Sequence, residues 1–229
     1  MKTIGLIGGM SWESTVTYYQ IINRTVKQAL GGFHSAKCII NSVDFDGIEH
    51  CQSTGNWRKA GEILAGAAKS LEKAGADFVL IGANTMHKVV ADIEAAINIP
   101  LLHIAEATAK EAIAKNIRKV ALTGTKYTME QDFISSVLEK NGLEVIVPAA
   151  ARREKINDII YKELCLGEIK VESKKFFLDT VSELAAGGAE GVILGCTEIG
   201  LLINQTDTEI PLLDTAEIHA VTAAVWALK

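Results

Sequence analysis

The sequence has little proline, three residues in 229, and no tract rich in proline or serine, which excludes a linker-joined or low-complexity architecture. It has no basic run and a net charge of -5, so the electrostatic footprint of a nucleic-acid binder is missing. No apolar stretch reaches the roughly 20 residues that a membrane-spanning helix needs. Met1-Lys2-Thr3-Ile4-Gly5 runs straight into a strand-like segment without the pattern of a secretory signal. The four cysteines, Cys38, Cys51, Cys165 and Cys196, show neither CxxC spacing nor the rhythm of a disulfide framework. They read as free thiols, and the expected location is the reducing cytoplasm. The sequons at Asn23 and Asn204 then carry no meaning. There is no P-loop lysine, no GxSxG elbow and no cysteine–histidine cluster of metal-ligand spacing, so no metal is expected. Gly5–Met10 lacks the spacing of a dinucleotide fingerprint.

What is present is a globular composition, 48% hydrophobic and 22% charged, long enough for one large domain or two small ones. Short β-branched runs alternate with longer amphipathic stretches. The strand candidates are Thr3–Ile7, Cys38–Val43, Phe78–Ile81, Leu101–Ile104, Lys119–Leu122, Glu144–Val147, Gly191–Leu194 and Leu212–Leu213. Helical patterns cover roughly 12–30, 55–74, 85–97, 105–115, 129–141, 153–166, 170–187, 198–204 and 215–228. The strands are nearly all apolar instead of alternating, the mark of strands buried on both faces of a parallel sheet. Strand–helix alternation of this kind predicts an α/β fold.

An internal repeat refines that expectation. LEKAGADFVLIGANT at 71–85 matches LAAGGAEGVILGCTE at 184–198, placing Gly75, Ala76, Val79 and Gly82 on Gly188, Ala189, Val192 and Gly195. Ile99-Pro100-Leu101-Leu102 recurs as Ile210-Pro211-Leu212-Leu213. The chain therefore reads as two copies of one four-stranded unit, residues 1–115 and 116–214, with residues 215–229 expected to pack back on the first half. Ligands of open α/β sheets bind outside the carboxyl ends of the strands. Two such units facing each other would set four polar turns, Gly8–Ser14, Gly82–Thr85, Thr123–Thr128 and Gly195–Glu198, around one cleft. Each turn is expected to open a helix whose free N–H groups attract anions, which suits a small molecule with carboxylates.

Cys196 is the strongest chemical candidate. It ends an apolar strand, follows Gly195 and precedes an expected helix, where a thiolate is stabilised and the thiol works as a base. Buried packing is the common alternative for a free cysteine; Cys38 and Cys165 read as core or neutral surface residues. Cys51 and Gln52 are expected in a loop after the second strand, from which Gln52 reaches a substrate carboxylate.

Leu194-Gly195-Cys196-Thr197-Glu198, Ile7-Gly8-Gly9-Met10-Ser11-Trp12-Glu13-Ser14-Thr15 and Asn84-Thr85-Met86-His87 resemble the aspartate/glutamate racemase family, and the resemblance covers essentially the whole chain. It implies a pair of flavodoxin-like, Rossmann-like halves related by a pseudo-twofold axis, with the site in the cleft between them. It also implies amino-acid racemisation without a cofactor and a homodimer. In the family one cysteine from each half works on opposite faces of the substrate: one takes the α-proton and the other returns a proton.

This chain departs from that pattern. The first-half cysteine normally precedes Asn-Thr, but here the residues are Gly82-Ala83-Asn84-Thr85, and the repeat independently pairs Ala83 with Cys196. A methyl group has no proton to give. The replacement is Thr85, Asn84 or a held water, or His87 acting through water one helical turn beyond Ala83. Failing all of these, the enzyme is one-sided. Met10, Ser11, Gln52, Asn84, Thr125, Thr128 and Thr197 are the expected substrate contacts, with N-capping the alternative role for the hydroxyls. Glu198 occupies a place where some family members carry histidine and is expected to orient the thiol. Lys155 is a candidate charge partner for a distal carboxylate, against the alternative of a solvated helix lysine; His103 and His219 read as structural. The reading is racemisation of aspartate or glutamate through Cys196. Its alternatives are a single-cysteine decarboxylase or isomerase of a small dicarboxylate, and a dicarboxylate-binding relative without turnover.

Overall fold

The computed structural model describes residues 1–229. The chain begins with β1 (Ile4–Gly8), α1 (Trp12–Leu30), β2 (Cys38–Ser42), α2 (Phe45–Ser53), α3 (Trp57–Lys73) and β3 (Phe78–Ile81). A 3-10 turn (Thr85–Val89), α4 (Val90–Glu94), β4 (Leu101–Leu102) and α5 (Ile104–Ala114) follow. The pattern then repeats with β5 (Lys119–Gly124), α6 (Lys126–Glu130), α7 (Asp132–Lys140), β6 (Glu144–Ile146), α8 (Ala150–Lys162), a 3-10 turn (Leu164–Leu166) and α9 (Val171–Ala186). It closes with β7 (Gly191–Gly195), α10 (Ile199–Leu202), a 3-10 turn (Gln205–Asp207), β8 (Leu212–Asp214) and α11 (Thr215–Leu228). All eight strand segments read from the sequence form strands, in two all-parallel sheets ordered β2-β1-β3-β4 and β6-β5-β7-β8.

The chain divides into two compact units, Met1–Ile104 with His219–Lys229, and Ala105–Ile218. α5, which the repeat placed at the end of the first half, therefore belongs to the second unit, while most of α11 belongs to the first. The repeat in the sequence marks where copies begin; the units follow where helices pack.

In the first unit the middle strands IGLIG and FVLI are buried at every position, which is why their sequences do not alternate. The edge strand β2, CIINS, is only partly buried and can carry Asn41 and Ser42. One face of the sheet, with Ile7, Val79 and Ile81, packs against Ala60, Leu64, Ala67 and Leu71 of α3 and Ile48 of α2. α1 buries Tyr18, Ile22 and Val26 at helical spacing, and Phe78 stacks on Trp226 of α11 with ring centroids 4.5 Å apart. In the second unit Ile156, Ile159 and Ile160 of α8 and Phe177, Val181 and Leu184 of α9 cover Ala121, Val192 and Leu194. No helix is long and apolar enough to cross a membrane.

Three helix expectations need correction. Residues 45–53 are a helix, so Cys51 and Gln52 stand on α2 and not in a loop. Gly47 and a weak apolar stripe hid it, but the Asp44 side chain caps it and Ile48, Cys51 and Gln52 are buried at positions three and four apart. The pattern at 85–97 breaks into the 3-10 turn and the five-residue α4. That at 198–204 shrinks to the single turn of α10.

Candidate active site

In both sheets the winding direction reverses between the two central strands, β1 and β3 in one and β5 and β7 in the other. Such switch points are where α/β sheets bind ligands, and in each unit the carboxyl ends of the central pair carry the motifs singled out above.

In the first unit, β1 ends in a turn that only glycine can make. Gly9 has φ +90°, and a Cβ there would lie 2.1 Å from the Val43 carbonyl oxygen. The Gly9 N–H donates to Thr15 Oγ1 at 2.8 Å, and that hydroxyl donates to the Ser11 carbonyl at 3.0 Å. Ser11 is the N-cap of α1, accepting from the Ser14 N–H. The Ser14 hydroxyl donates to the Gly82 carbonyl at 3.2 Å and so ties this turn to the end of β3. Ala83, Asn84 and Thr85 follow there, all buried, with Ala83 7% exposed. Gln52 of α2 is buried and its side-chain amide points to Met86 Sδ at 3.1 Å, and Met10 is part of the apolar core beneath. Ser11, Gln52, Asn84 and Thr85 thus belong to one end of one sheet. Of the four turns, only this one opens a long helix, the 19-residue α1, so the helix-dipole argument for anion binding has full weight only here.

His87 extends back from the 3-10 turn. Its Nδ1 lies 2.9 Å from the Ala83 carbonyl, and the Ile104 N–H donates to its Nε2 at 3.2 Å. Burial, then the neighbouring His103 and His219, hold its pKa well below the usual imidazole range. Both ring nitrogens are engaged by backbone, which leaves neither for relaying a substrate proton through water.

In the second unit Gly124 and Gly195 are register partners, and they must be small: a Cβ on Gly195 would lie 2.4 Å from the Thr123 carbonyl oxygen. The Thr123 hydroxyl donates to the Ile193 carbonyl at 2.8 Å, clamping the pair. Thr125 caps α6, accepting from the Thr128 N–H, and the two hydroxyls are 3.2 Å apart. Lys155 lies on the exposed side of α8.

Cys196 follows directly, 8% exposed. Its Sγ donates to Glu198 Oε2 at 3.0 Å, and the Thr197 hydroxyl donates to the same oxygen at 2.8 Å. The pKa of this thiol is pushed well up, by burial first and by the Glu198 charge next. The expectation of a thiolate stabilised by a helix N-terminus is therefore overturned. α10 has four residues, too few to build a dipole that offsets desolvation. At rest the group is a thiol hydrogen-bonded to a buried carboxylate, a nucleophile–base pair in the geometry that general-base activation requires.

Sequence reasoning passed over the supports of both turns: Thr15 and Ser14 in the first unit, Thr123 and Thr215 in the second. The Thr215 hydroxyl donates to the Leu194 carbonyl at 2.8 Å. It also passed over Asp214, whose Oδ1 accepts the N–H groups of Ala216 and Glu217 at the start of α11. The repeat was a usable signal, since it aligns Asp214, the last residue of β8, with His103, which follows β4.

The model of the Asp/Glu/hydantoin racemase family matches residues 7–223. The chain is similar to the broad specificity amino-acid racemase RacX of Bacillus subtilis, 31% identical over 158 residues that cover 67% of this chain and 66% of that protein, slightly under two thirds of its length. Among solved structures it is similar to a Yersinia pestis protein assigned as an Asp/Glu racemase, with a TM-score of 0.93 and 52% identity over the whole of both chains. An aspartate racemase homologue of Pyrococcus horikoshii OT3 superimposes with a TM-score of 0.87 and 39% identity, again over all of both chains. These relatives are named as amino-acid racemases or their homologues, and racemases are isomerases. The two parallel sheets, the motifs at their carboxyl ends and the family match together establish that this chain belongs to the Asp/Glu/hydantoin racemase family.

Proposed function

We propose that this protein racemises an acidic amino acid, aspartate or glutamate, without a cofactor, and that Cys196 is the group that removes the α-proton. The observation that carries the reading is the 3.0 Å contact between Cys196 Sγ and Glu198 Oε2 at the end of β7. Glu198 takes the thiol proton, and the resulting thiolate takes the proton from Cα. The electron pair left on carbon spreads into the α-carboxylate as an enediolate. N–H and O–H donors held in place before the reaction stabilise that charge. Ser11, Gln52, Asn84, Thr125, Thr128 and Thr197 are the donors this reading assigns to the substrate's carboxylates and amine, with Met10 as apolar wall. Thr85, or a water it holds, returns a proton to the other face of Cα; once the product leaves, Glu198 gives its extra proton to solvent and the Thr85 site regains one from solvent, which resets both.

The position equivalent to Cys196 in the first unit is Ala83, whose methyl cannot exchange a proton. Exchange of the α-proton is therefore biased toward the enantiomer that presents its Cα–H to sulfur. Homodimerisation and a cytoplasmic location belong to the same reading, supported by the family and by four free thiols. The test is incubation of each enantiomer of aspartate and glutamate in deuterated water, following the α-proton by NMR. Exchange from one enantiomer, abolished by Cys196→Ser, is the expected result.

A second reading is favoured by the same alanine. A decarboxylase that protonates its product from one face needs only one thiol. It releases CO₂ from a malonate and leaves amino acids unexchanged, so the same incubation separates the two.

A further inference from the structure

The first unit contains a cluster that the proposed chemistry does not use: the buried His87, His219 and Tyr18, with the half-buried His103 beside them. The ring centroids of His87 lie 4.5 Å from those of His103 and 6.0 Å from those of His219. His87 and His219 are both essentially without solvent exposure. Their tautomers follow from their partners. The Ile104 N–H can only donate, so His87 Nε2 is the acceptor, Nδ1 carries the hydrogen, and that hydrogen goes to the Ala83 carbonyl. The Leu102 carbonyl can only accept, so His219 Nε2–H donates to it at 2.9 Å, and His219 Nδ1 takes the Tyr18 hydroxyl at 3.0 Å. Each ring is a neutral two-ended brace with one donor and one acceptor spent on fixed partners.

The places these braces hold are informative. His87 joins Ala83, the residue before Asn84 and Thr85, to Ile104, the last residue before the chain leaves the first unit. His219 is the first residue after it returns, and it fixes Leu102 of β4 and Tyr18 of α1. Tyr18 in turn lies beside Gly82: a Cβ on that glycine would meet its ring at 3.9 Å. The end of β3, the end of β4, α1 and α11 are therefore tied to one another around the backbone that presents Asn84 and Thr85.

Resting on the racemase reading above, we infer that His87 is a positioning residue for the reaction: its neutral Nδ1–H tautomer holds the Ala83 carbonyl and thereby sets where Asn84 and Thr85 stand against the substrate. It contributes no proton to turnover. Backbone placement of reacting groups matters because a misplacement of about 1 Å costs on the order of 100-fold in rate.

Two variants separate positioning from simple support. In His87→Asn the side-chain amide nitrogen takes the place of Nδ1 and can still donate to Ala83. In His87→Leu the bulk remains and both hydrogen bonds are lost. Wild-type deuterium exchange is measured first; if no acidic amino acid exchanges, the racemase reading has failed, and the positioning role falls with it. Given exchange in the wild type, kcat per folded molecule should drop on the order of 100-fold in His87→Leu and recover most of that in His87→Asn. KM should move far less than kcat. Equal kcat in both variants and the wild type, with only the melting temperature lowered, overturns the inference. Should His87→Leu not fold, the long-range ¹H–¹⁵N imidazole spectrum of the wild type decides together with His87→Asn. An Nε2–H or doubly protonated His87 at neutral pH, or an inactive but folded His87→Asn, overturns it; an Nδ1–H ring with an active His87→Asn supports it.

Discussion

Cys196 donates its thiol hydrogen to Glu198 Oε2 across 3.0 Å, with both groups buried at the end of one strand. Burial raises the pKa of this thiol and the Glu198 charge raises it further; in the proposed mechanism that same carboxylate takes the thiol proton. Glu198→Gln keeps a hydrogen-bond acceptor and removes the base. We expect kcat for α-proton exchange to fall by about 10²–10⁴, the range general-base catalysis supplies, with KM little changed. Kinetics on the folded variant check this, and wild-type activity in it would remove Glu198 from the mechanism.

Iodoacetamide reads the resting state of the sulfur. Because Cys196 is a thiol at neutral pH, the wild type should be alkylated there more slowly than free cysteine at the same pH. Mass spectrometry of the peptide containing Cys196, over a pH series, gives the rate. Fast labelling at pH 7 would mean an ionised sulfur and would contradict the geometry.

Ala83 and Cys196 occupy equivalent places in the two units, one with a methyl group and one with a thiol. Ala83→Cys adds a single sulfur at a position 7% exposed. It should raise α-proton exchange from the enantiomer that presents its Cα–H to position 83, so that the two enantiomers exchange at comparable rates, and raise racemisation in both directions together. Initial rates from each enantiomer measure the balance; no gain with aspartate or glutamate would favour the decarboxylase reading.

His219 makes folding depend on acid. An unfolded imidazole titrates near 6.5, whereas burial lowers that of His219 to about 4. Between these values the unfolded chain binds a proton that the folded chain does not. The stabilisation is therefore complete above pH 6.5 and is lost as pH falls toward and through 4, up to about 3 kcal/mol. His87 acts in the same direction, its pKa also being lowered by burial. Urea unfolding between pH 7.5 and 4 should show this slope, and His219→Gln should flatten it; identical slopes in the two proteins would rule the effect out.

Gly195→Ala tests the close approach of β5 and β7. The added Cβ would meet the Thr123 carbonyl, part of the strand backbone that cannot yield as a side-chain tip would. Overpacking of this kind costs about 1–3 kcal/mol. The neighbouring Cys196 should lose its alignment with Glu198, so exchange should fall by more than the loss of folded protein explains. Thermal melts paired with activity per folded molecule distinguish the two losses.

Much of the architecture is written in local pattern. Ile4–Gly8 and Gly191–Gly195 are apolar at every position because both faces of a central parallel strand are covered, and that alone marks them as strands. The match of 71–85 to 184–198 announced two like halves, and Gly82-Ala83 against Gly195-Cys196 placed an alanine at the counterpart of the cysteine. α2 escaped detection because Gly47 and a short apolar stripe give it little helical signal of its own, and its packing against α3 supplies what the pattern lacks.

The sequence by itself determined the strands, the repeat, Cys196 at a strand end and the alanine at its counterpart, since each depends on residue type and short-range spacing. Only the folded chain decided the surroundings of the sulfur and the hydrogen-bond partners of the histidines. A pKa is set by how much water burial removes and which charges remain near, and a tautomer by which backbone groups arrive from elements far apart in sequence. His87 meets Ile104, and His219 meets Leu102 from 117 residues away, contacts that no local pattern encodes.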